Sequence, residues 1–267
     1  GNKKMMKIAL TTGVGADINT VDSNGNNALM LAVYSGDVDA VKFLLNFHKD
    51  EKSNILSDVT PIDLTHFNKD LLSPLHLAVH LNNIHIVKAL LDAGLDANIL
   101  GKYKETPLMY ATRANNAEMI DILLHHNKEN AANINQRNRE GLTPLMLAAQ
   151  NKDRVESFYM LLKSGAEIMM KDYEGRNAFM HAANNNCSHY MDTLIKRADN
   201  NMLNMVNNQD KNGVSTMMIV AKRGNRQALR VLISRGANVF LKDNHGKTAL
   251  DYAIKAENPT CQEILVK

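Results

Sequence analysis

A six-residue pattern, Thr/Ser-Pro-Leu-x-x-Ala, returns along this chain in one phase, and that recurrence limits the fold more than any other feature. It is clearest as SPLHLA (73–78), TPLMYA (106–111) and TPLMLA (143–148). Looser copies are NALMLA (27–32), NAFMHA (177–182), STMMIV (215–220) and TALDYA (248–253). The last residues of the copies fall at 32, 78, 111, 148, 182, 220 and 253, so the gaps are 46, 33, 37, 34, 38 and 33. A base period of 33 with occasional insertions describes stacked identical units, each too small to bury an apolar face alone.

Each part of the unit has a physical purpose. Ser73 or Thr143 caps a helix start, and the next residue, Pro, occupies the first helical position, where its missing N–H is harmless. Leu75, Ala78 and Val79 share a face, and the small Ala permits close approach of a neighbouring helix. A second apolar run follows at helical spacing, as in IHIVKALL (84–91) and QALRVLI (227–233). It ends in Gly at Gly94, Gly165 and Gly236, the residue that a left-handed C-terminal cap prefers. Next comes a turn with Gly at its tip: Asp22-Ser23-Asn24-Gly25, Asp172-Tyr173-Glu174-Gly175, Asp210-Lys211-Asn212-Gly213 and Asp243-Asn244-His245-Gly246. The corresponding segments 68–71 and 101–104 carry Leu71 and Lys104 in place of that Gly, which predicts looser or differently shaped turns.

A 33-residue period carrying T-P-L-H-x-A resembles the ankyrin repeat, and the resemblance covers essentially the whole chain. It implies an all-α solenoid of stacked helix-turn-helix units with β-hairpin-like turns, about six full repeats with partial repeats at the ends. The boundaries are expected at 1–21 (partial), 22–67 with an insertion at 46–68, 68–100, 101–137, 138–171, 172–209, 210–242 and 243–267 (partial), all in a single domain. The insertion includes TPIDLT (60–65), read as a charged loop with one helical turn. Smaller insertions lie near 125–136 and 196–209. GADIN (15–19) matches the end of a repeat, and CQEILVK breaks off inside a second helix, so a longer array or a multidomain protein is expected.

Chemistry-bearing clusters dissolve under this reading. His76, His80 and His85 look like an i, i+4 metal pair with a third ligand nearby. The resemblance separates them: it implies His76 in the first helix, bonded to a neighbouring turn, His80 at that helix's end and His85 at the start of the second. Cys187 and His189 superficially form a Cys–His pair, but the packed-cysteine reading is preferred. Met217 fills the Leu position of its repeat, so core filling precedes any adaptable-surface reading. There is no Gly-rich phosphate loop, no H-E-x-x-H and no nucleophile elbow. The expectation is a protein that is not an enzyme, with no catalytic residue, cofactor or metal.

Two cysteines outside any paired spacing suit a reducing compartment: the cytoplasm, or a host-cell cytoplasm for a secreted effector. The opening GNKKMMKIAL is interrupted by Lys7 and reads poorly as a signal peptide. No apolar run reaches the length of a membrane span. A net charge of +3 is too mild for a dedicated nucleic-acid binder. No nucleic-acid or membrane partner is therefore expected, and the chain is read as a monomer.

The resemblance implies binding through the turn tips and the exposed ends of the first helices. The positions are the two residues before each turn Gly, the one after it, and the two after each Ala-Ala-like pair. Ten of them are basic (Lys69, Lys102, Arg113, Arg139, Arg176, Lys211, Lys222, Arg223, Lys247, Lys255) and four acidic (Asp70, Glu105, Glu140, Glu174), a net +6 against +3 for the whole chain. A net-basic concave surface for an acidic peptide or protein surface is the expectation. Tyr34, Tyr103 and Tyr173, with His80, Arg113, Arg139, Arg176, Lys222 and Arg223, are the candidate partner-binding residues, since Tyr and Arg are enriched among interface hot spots. The alternative is a targeting or substrate-recruiting segment of a larger enzyme or secreted effector, its catalytic domain lying outside these residues.

Overall fold

The computed structural model describes residues 17–50 and 62–266. The chain divides into two compact units, Gly1–Asn133 and Ile134–Lys267. In the first, three antiparallel helix pairs follow one another: α1 (Ala28–Tyr34) with α2 (Val38–Asp50), α3 (Pro74–His80) with α4 (Ile84–Asp92), and α5 (Pro107–Arg113) with α6 (Ala117–His125). The second holds α7 (Pro144–Ala149) and α8 (Val155–Lys163), then α9 (Ala178–Asn184), α10 (Ser188–Ala198) and a short α11 (Met202–Val206). It continues with α12 (Thr216–Arg223), α13 (Arg226–Ser234), α14 (Ala249–Lys255) and α15 (Pro259–Val266). Among the described residues no strand forms, only isolated antiparallel bridges between Lys171 and Asn177 and between Gln209 and Ser215.

Every first helix of a pair starts the same way. The side chains of Asn27, Ser73, Thr106, Thr143, Asn177, Ser215 and Thr248 each accept a hydrogen bond from the backbone N–H three residues on. Such a cap satisfies one of the donors that a helix start leaves orphaned, and its loss costs about 1 kcal/mol. Asn83, Asn116 and Asn225 do the same for the second helices. Helices of seven residues are too short to persist alone, so packing must hold them. Within the first unit α1 packs on α3 and α3 on α5; within the second, α7 on α9, α9 on α12 and α12 on α14.

The core repeats as the caps do. Leu29, Leu75, Leu108, Leu145, Phe179 and Met217 occupy one register and are fully buried. Met217 therefore fills core, as do Met205 and Met218. Ala78, Ala111, Ala148, Ala182 and Ala253 are also buried, at the register where helices meet most closely. Truncating one of the large residues to Ala would cost about 2–5 kcal/mol.

The turns lacking Gly correct one expectation and bear out another. Leu71 adopts φ 59°, and its N–H donates to the Asn68 carbonyl at 2.9 Å, as Gly25 (φ 79°) donates to Asp22 at 3.0 Å. That turn is not looser: the chain forces a leucine into the glycine conformation. The 101–104 turn does differ. Lys102–Lys104 forms a 3₁₀ turn with both Tyr103 and Lys104 at positive φ.

The insertions are more ordered than loops where they are described. Residues 51–61, and with them the start of TPIDLT, lie outside the described residues, as does the opening segment through Ala16. From Ile62, which is buried, the chain makes a turn and not a helix, and the Asp63 N–H donates to Asn19 Oδ1 at 2.8 Å. The insertion at 196–209 folds into α11, whose Met205 and Val206 are buried.

Candidate interaction surface

The three histidines of residues 73–91 go to three environments. His76 is fully buried: its Nε2 lies 3.0 Å from the Glu105 carbonyl and its Nδ1 2.8 Å from Ser73 Oγ. A carbonyl only accepts, so Nε2 carries the proton and Nδ1 accepts from the serine hydroxyl. Burial pushes this imidazole down to about 4, against the opposing pull of the Glu105 carbonyl and carboxylate. His80 and His85 are exposed. No group of three potential metal ligands gathers among the described residues. Cys187 and Cys261 are free and buried, and burial raises both thiols, the reverse of what a nucleophile needs.

In the first unit, Tyr34, His80 and Arg113 are the last residues of α1, α3 and α5. Stacking of those helices aligns the three at one register, all exposed, with Tyr34 at 48%. Tyr103 stands at its turn tip, 58% exposed, with Lys102 Nζ 5.4 Å from the ring centroid. Arg113 is not a free cation. Its Nη2 lies 2.6 Å from Glu105 Oε1 and its Nε 3.3 Å from Oε2, a two-point pair with a carboxylate that is nearly buried.

That pair corrects the predicted contact set. Glu105, expected at the surface, is 7% exposed, and Asn26 and Leu142, also the residue after the turn tip, are buried. At the same register Leu72, Arg176 and Val214 are half-buried and Lys247 is exposed. Four of its seven residues, Asn26, Leu72, Leu142 and Val214, are uncharged.

In the second unit Arg139 and Tyr173 are exposed on successive turns, Tyr173 at 51%. The Tyr173 backbone N–H donates to the Glu140 carbonyl at 3.1 Å; Lys211 donates to Glu174 at 2.8 Å and Asn244 to Asn212 at 2.9 Å. The turn tips are thus tied in series by main-chain bonds that no side-chain pattern discloses. The approach is close enough that a Cβ on Gly141 would sit 2.6 Å from the Tyr173 nitrogen. Arg176 is half-buried, its Nε 2.9 Å from Asp172 Oδ2, where His181 Nε2 also binds at 2.9 Å. Burial pushes the Asp172 carboxyl up, but the His181 bond, the Arg176 N–H and both neighbouring charges hold it below its ordinary value. Lys222 and Arg223 are exposed at the end of α12, Arg223 Nη2 donating to Asn184 Oδ1 at 2.9 Å.

Removing the Glu105–Arg113 pair leaves the surface balance at +6, and its distribution is uneven. Residues 134–267 hold seven of the ten cations (Arg139, Arg176, Lys211, Lys222, Arg223, Lys247, Lys255) and only two of the four anions, Glu140 and Glu174. The basic character is a property of the second unit.

Among the described residues no helix is long and apolar enough to cross a membrane. The B-cell lymphoma 3 protein homolog of Mus musculus is 29% identical over 231 residues, 86% of this chain and 48% of that protein. The phosphocholine transferase AnkX of Legionella pneumophila is 26% identical over 303 residues, 93% of this chain and 32% of that protein. The chain thus spans about half the length or less of these relatives. The crystal structure of the ankyrin repeat domain of Bcl-3, described as a member of the IkappaB protein family, superposes with a TM-score of 0.74 at 28% identity, covering 92% of this chain and all of that one. Family models described as ankyrin repeats match residues 59–138, 130–204 and 179–267, and a further one matches 1–45. With the recurring caps, the buried Leu and Ala registers and the serial turns already in view, the chain belongs to the ankyrin-repeat family.

Proposed function

We propose that this chain is a protein-recognition module without catalysis of its own, and that residues 134–267 take an acidic peptide or an acidic protein surface. The observation carrying this reading is the set of exposed cations at the turns and first-helix ends, with Tyr173 on a turn whose backbone is bonded to its neighbour's. Side chains on a pre-ordered frame lose little freedom on binding, so more of the contact energy appears as affinity. Tyr34, His80, Tyr103 and Arg113 form a second, less charged patch on the first unit. Arg113 acts there with Glu105 as a neutral pair, presenting its outer N–H groups.

The test is affinity capture with three proteins: the unaltered chain, a Tyr103→Ala/Tyr173→Ala variant and an Arg139→Glu/Lys222→Glu variant. Both variants should lose the captured partner while keeping the helical circular-dichroism spectrum, and the charge variant should lose more at low salt. Retention by both would refute the reading. Arg113 is excluded from charge reversal, because Arg113→Glu would set two carboxylates together at the nearly buried Glu105 site. The reading also holds the chain to be monomeric, resident in a reducing compartment such as the cytoplasm, and without affinity for oligonucleotides at low salt. Light scattering and a fluorescence-anisotropy titration check the first and last.

The likeness to AnkX, a phosphocholine transferase of which this chain covers 32%, favours a second reading. In that reading the repeats of this chain recruit substrate for a catalytic domain carried elsewhere in a longer protein. Fusing this chain to an unrelated transferase and measuring redirected modification separates recruitment from simple binding.

A further inference from the structure

Four turns begin with Asp, and their carboxylates are used alike on one side. Oδ1 of Asp22, Asp172, Asp210 and Asp243 accepts the backbone N–H groups two and four residues on, all at 2.8–2.9 Å. The second oxygen is held by the side chain four or nine residues on. Asn26 Nδ2 reaches Asp22 at 3.1 Å, Arg176 and His181 both reach Asp172 at 2.9 Å, and the Tyr252 hydroxyl reaches Asp243 at 2.8 Å. At Asp210 those two places are Val214 and Ile219, which have nothing to donate. Among the described residues Asp210 Oδ2 has no partner.

This carboxylate lines a cavity of about 160 Å³, room for roughly five water molecules. Val214 and Ile219 line it beside Asp210, and Arg176, Met180, His181 and Asn184 complete the wall. The cationic side chains around it are engaged elsewhere. Arg176 is paired with Asp172. His181 Nε2 is also bonded to Asp172, and its Nδ1 lies 3.4 Å from Gln150 Nε2. Arg223 is engaged at Asn184 Oδ1. Among the described residues no protein donor reaches Asp210 Oδ2, and the apolar side chains of Met180, Val214 and Ile219 share its cavity.

We propose that this cavity accepts a lysine or arginine side chain of a protein partner. The cationic head bonds to Asp210 Oδ2, and the methylene stem lies against Met180, Val214 and Ile219. Long cationic side chains are built for such a site, an apolar stem beneath a charged tip. The partner then combines an acidic surface, matching the surrounding cations, with one basic anchor that sets its register. Charge–charge contacts of this kind contribute more to specificity than to bulk affinity. The partner's being a protein rests on the recognition reading; the cation site itself does not.

The test needs no partner. The methyl resonances of Met180 and Ile219 are followed while N-acetyl-arginine amide, N-acetyl-lysine amide or N-acetyl-glutamate amide is added at constant ionic strength. Both cationic probes should shift the two methyls, and the glutamate probe should not. Asp210→Asn keeps Oδ1 as acceptor for the turn but removes the charge, and should weaken the response about tenfold, the value of one charge-assisted hydrogen bond. Val214→Arg gives Asp210 the internal guanidinium that Arg176 gives Asp172, and should abolish the response with the helical spectrum intact. Methyls that stay still in the unaltered protein, or that shift equally with the glutamate probe or in Asp210→Asn, would overturn the proposal. A response to the probes without capture of any partner leaves the cavity standing and sinks the recognition reading. Capture without a response does the reverse.

Discussion

Replacing His76 by Gln should make this protein less sensitive to acid. The imidazole is fully buried, bonded to Ser73 and to the Glu105 carbonyl, and held down to about 4 against an ordinary 6.5. The unfolded chain therefore takes up a proton at this residue well before the folded chain does. With the folded value depressed, the stabilising contribution is complete above pH 6.5 and is lost as the pH falls toward 4. Linkage over that window gives about 2.5 kcal/mol between roughly pH 7.5 and pH 4.5. Gln has no proton to gain. Near neutral pH the variant should be the weaker protein, because Ser73 and Glu105 lose an imidazole that bridged them. By about pH 4.5 the gap should have narrowed by about 2.5 kcal/mol. Urea denaturation of both proteins at the two pH values measures this, and carboxylate titrations common to both cancel. Hydrogen exchange of the backbone amides between Leu75 and Arg113 localises the effect. A stability gap that does not change with pH would refute the reasoning, and so would an NMR titration placing His76 near its ordinary value.

Two further outcomes test the turns. Leu71→Gly should stabilise the protein by up to about 1 kcal/mol in thermal or urea unfolding. Leu71 is 54% exposed and held at φ 59°, so little packing is lost while left-handed strain is relieved. Gly141→Ala should destabilise by about 2–4 kcal/mol, since its new Cβ meets the Tyr173 backbone as well as a φ of +80°. Gly246→Ala, at φ +75° with nothing within 4 Å, should cost only the conformational part, about 1–2 kcal/mol.

Much of the fold was legible because each unit repeats the same local problem and the same solution. Thr106-Pro107-Leu108 specifies a cap, a first helical position and a core contact within three residues, all of them local physics. The candidate surface was legible only in part. Tyr34, Tyr103 and Tyr173 are exposed as their registers predicted, but Glu105 is not, because its carboxylate turns inward to Arg113. A register rule taken from sequence assigns a position its average exposure. It does not know which neighbour will reach it.

By itself, then, the sequence determined the period, the caps, the apolar registers and the glycine-bearing turns, all set by residues within a few positions of each other. Tertiary structure decided what depends on groups about thirty residues apart in the chain. It tied the turn tips to one another, made His76 a bridge to Glu105 and turned Glu105 inward to Arg113. It also left Asp210 facing a cavity that its own Val214 and Ile219 cannot fill with a donor. Local spacing fixes which way a helix faces; only stacking brings one repeat's side chains against the next repeat's backbone, and there burial and hydrogen-bond satisfaction are settled.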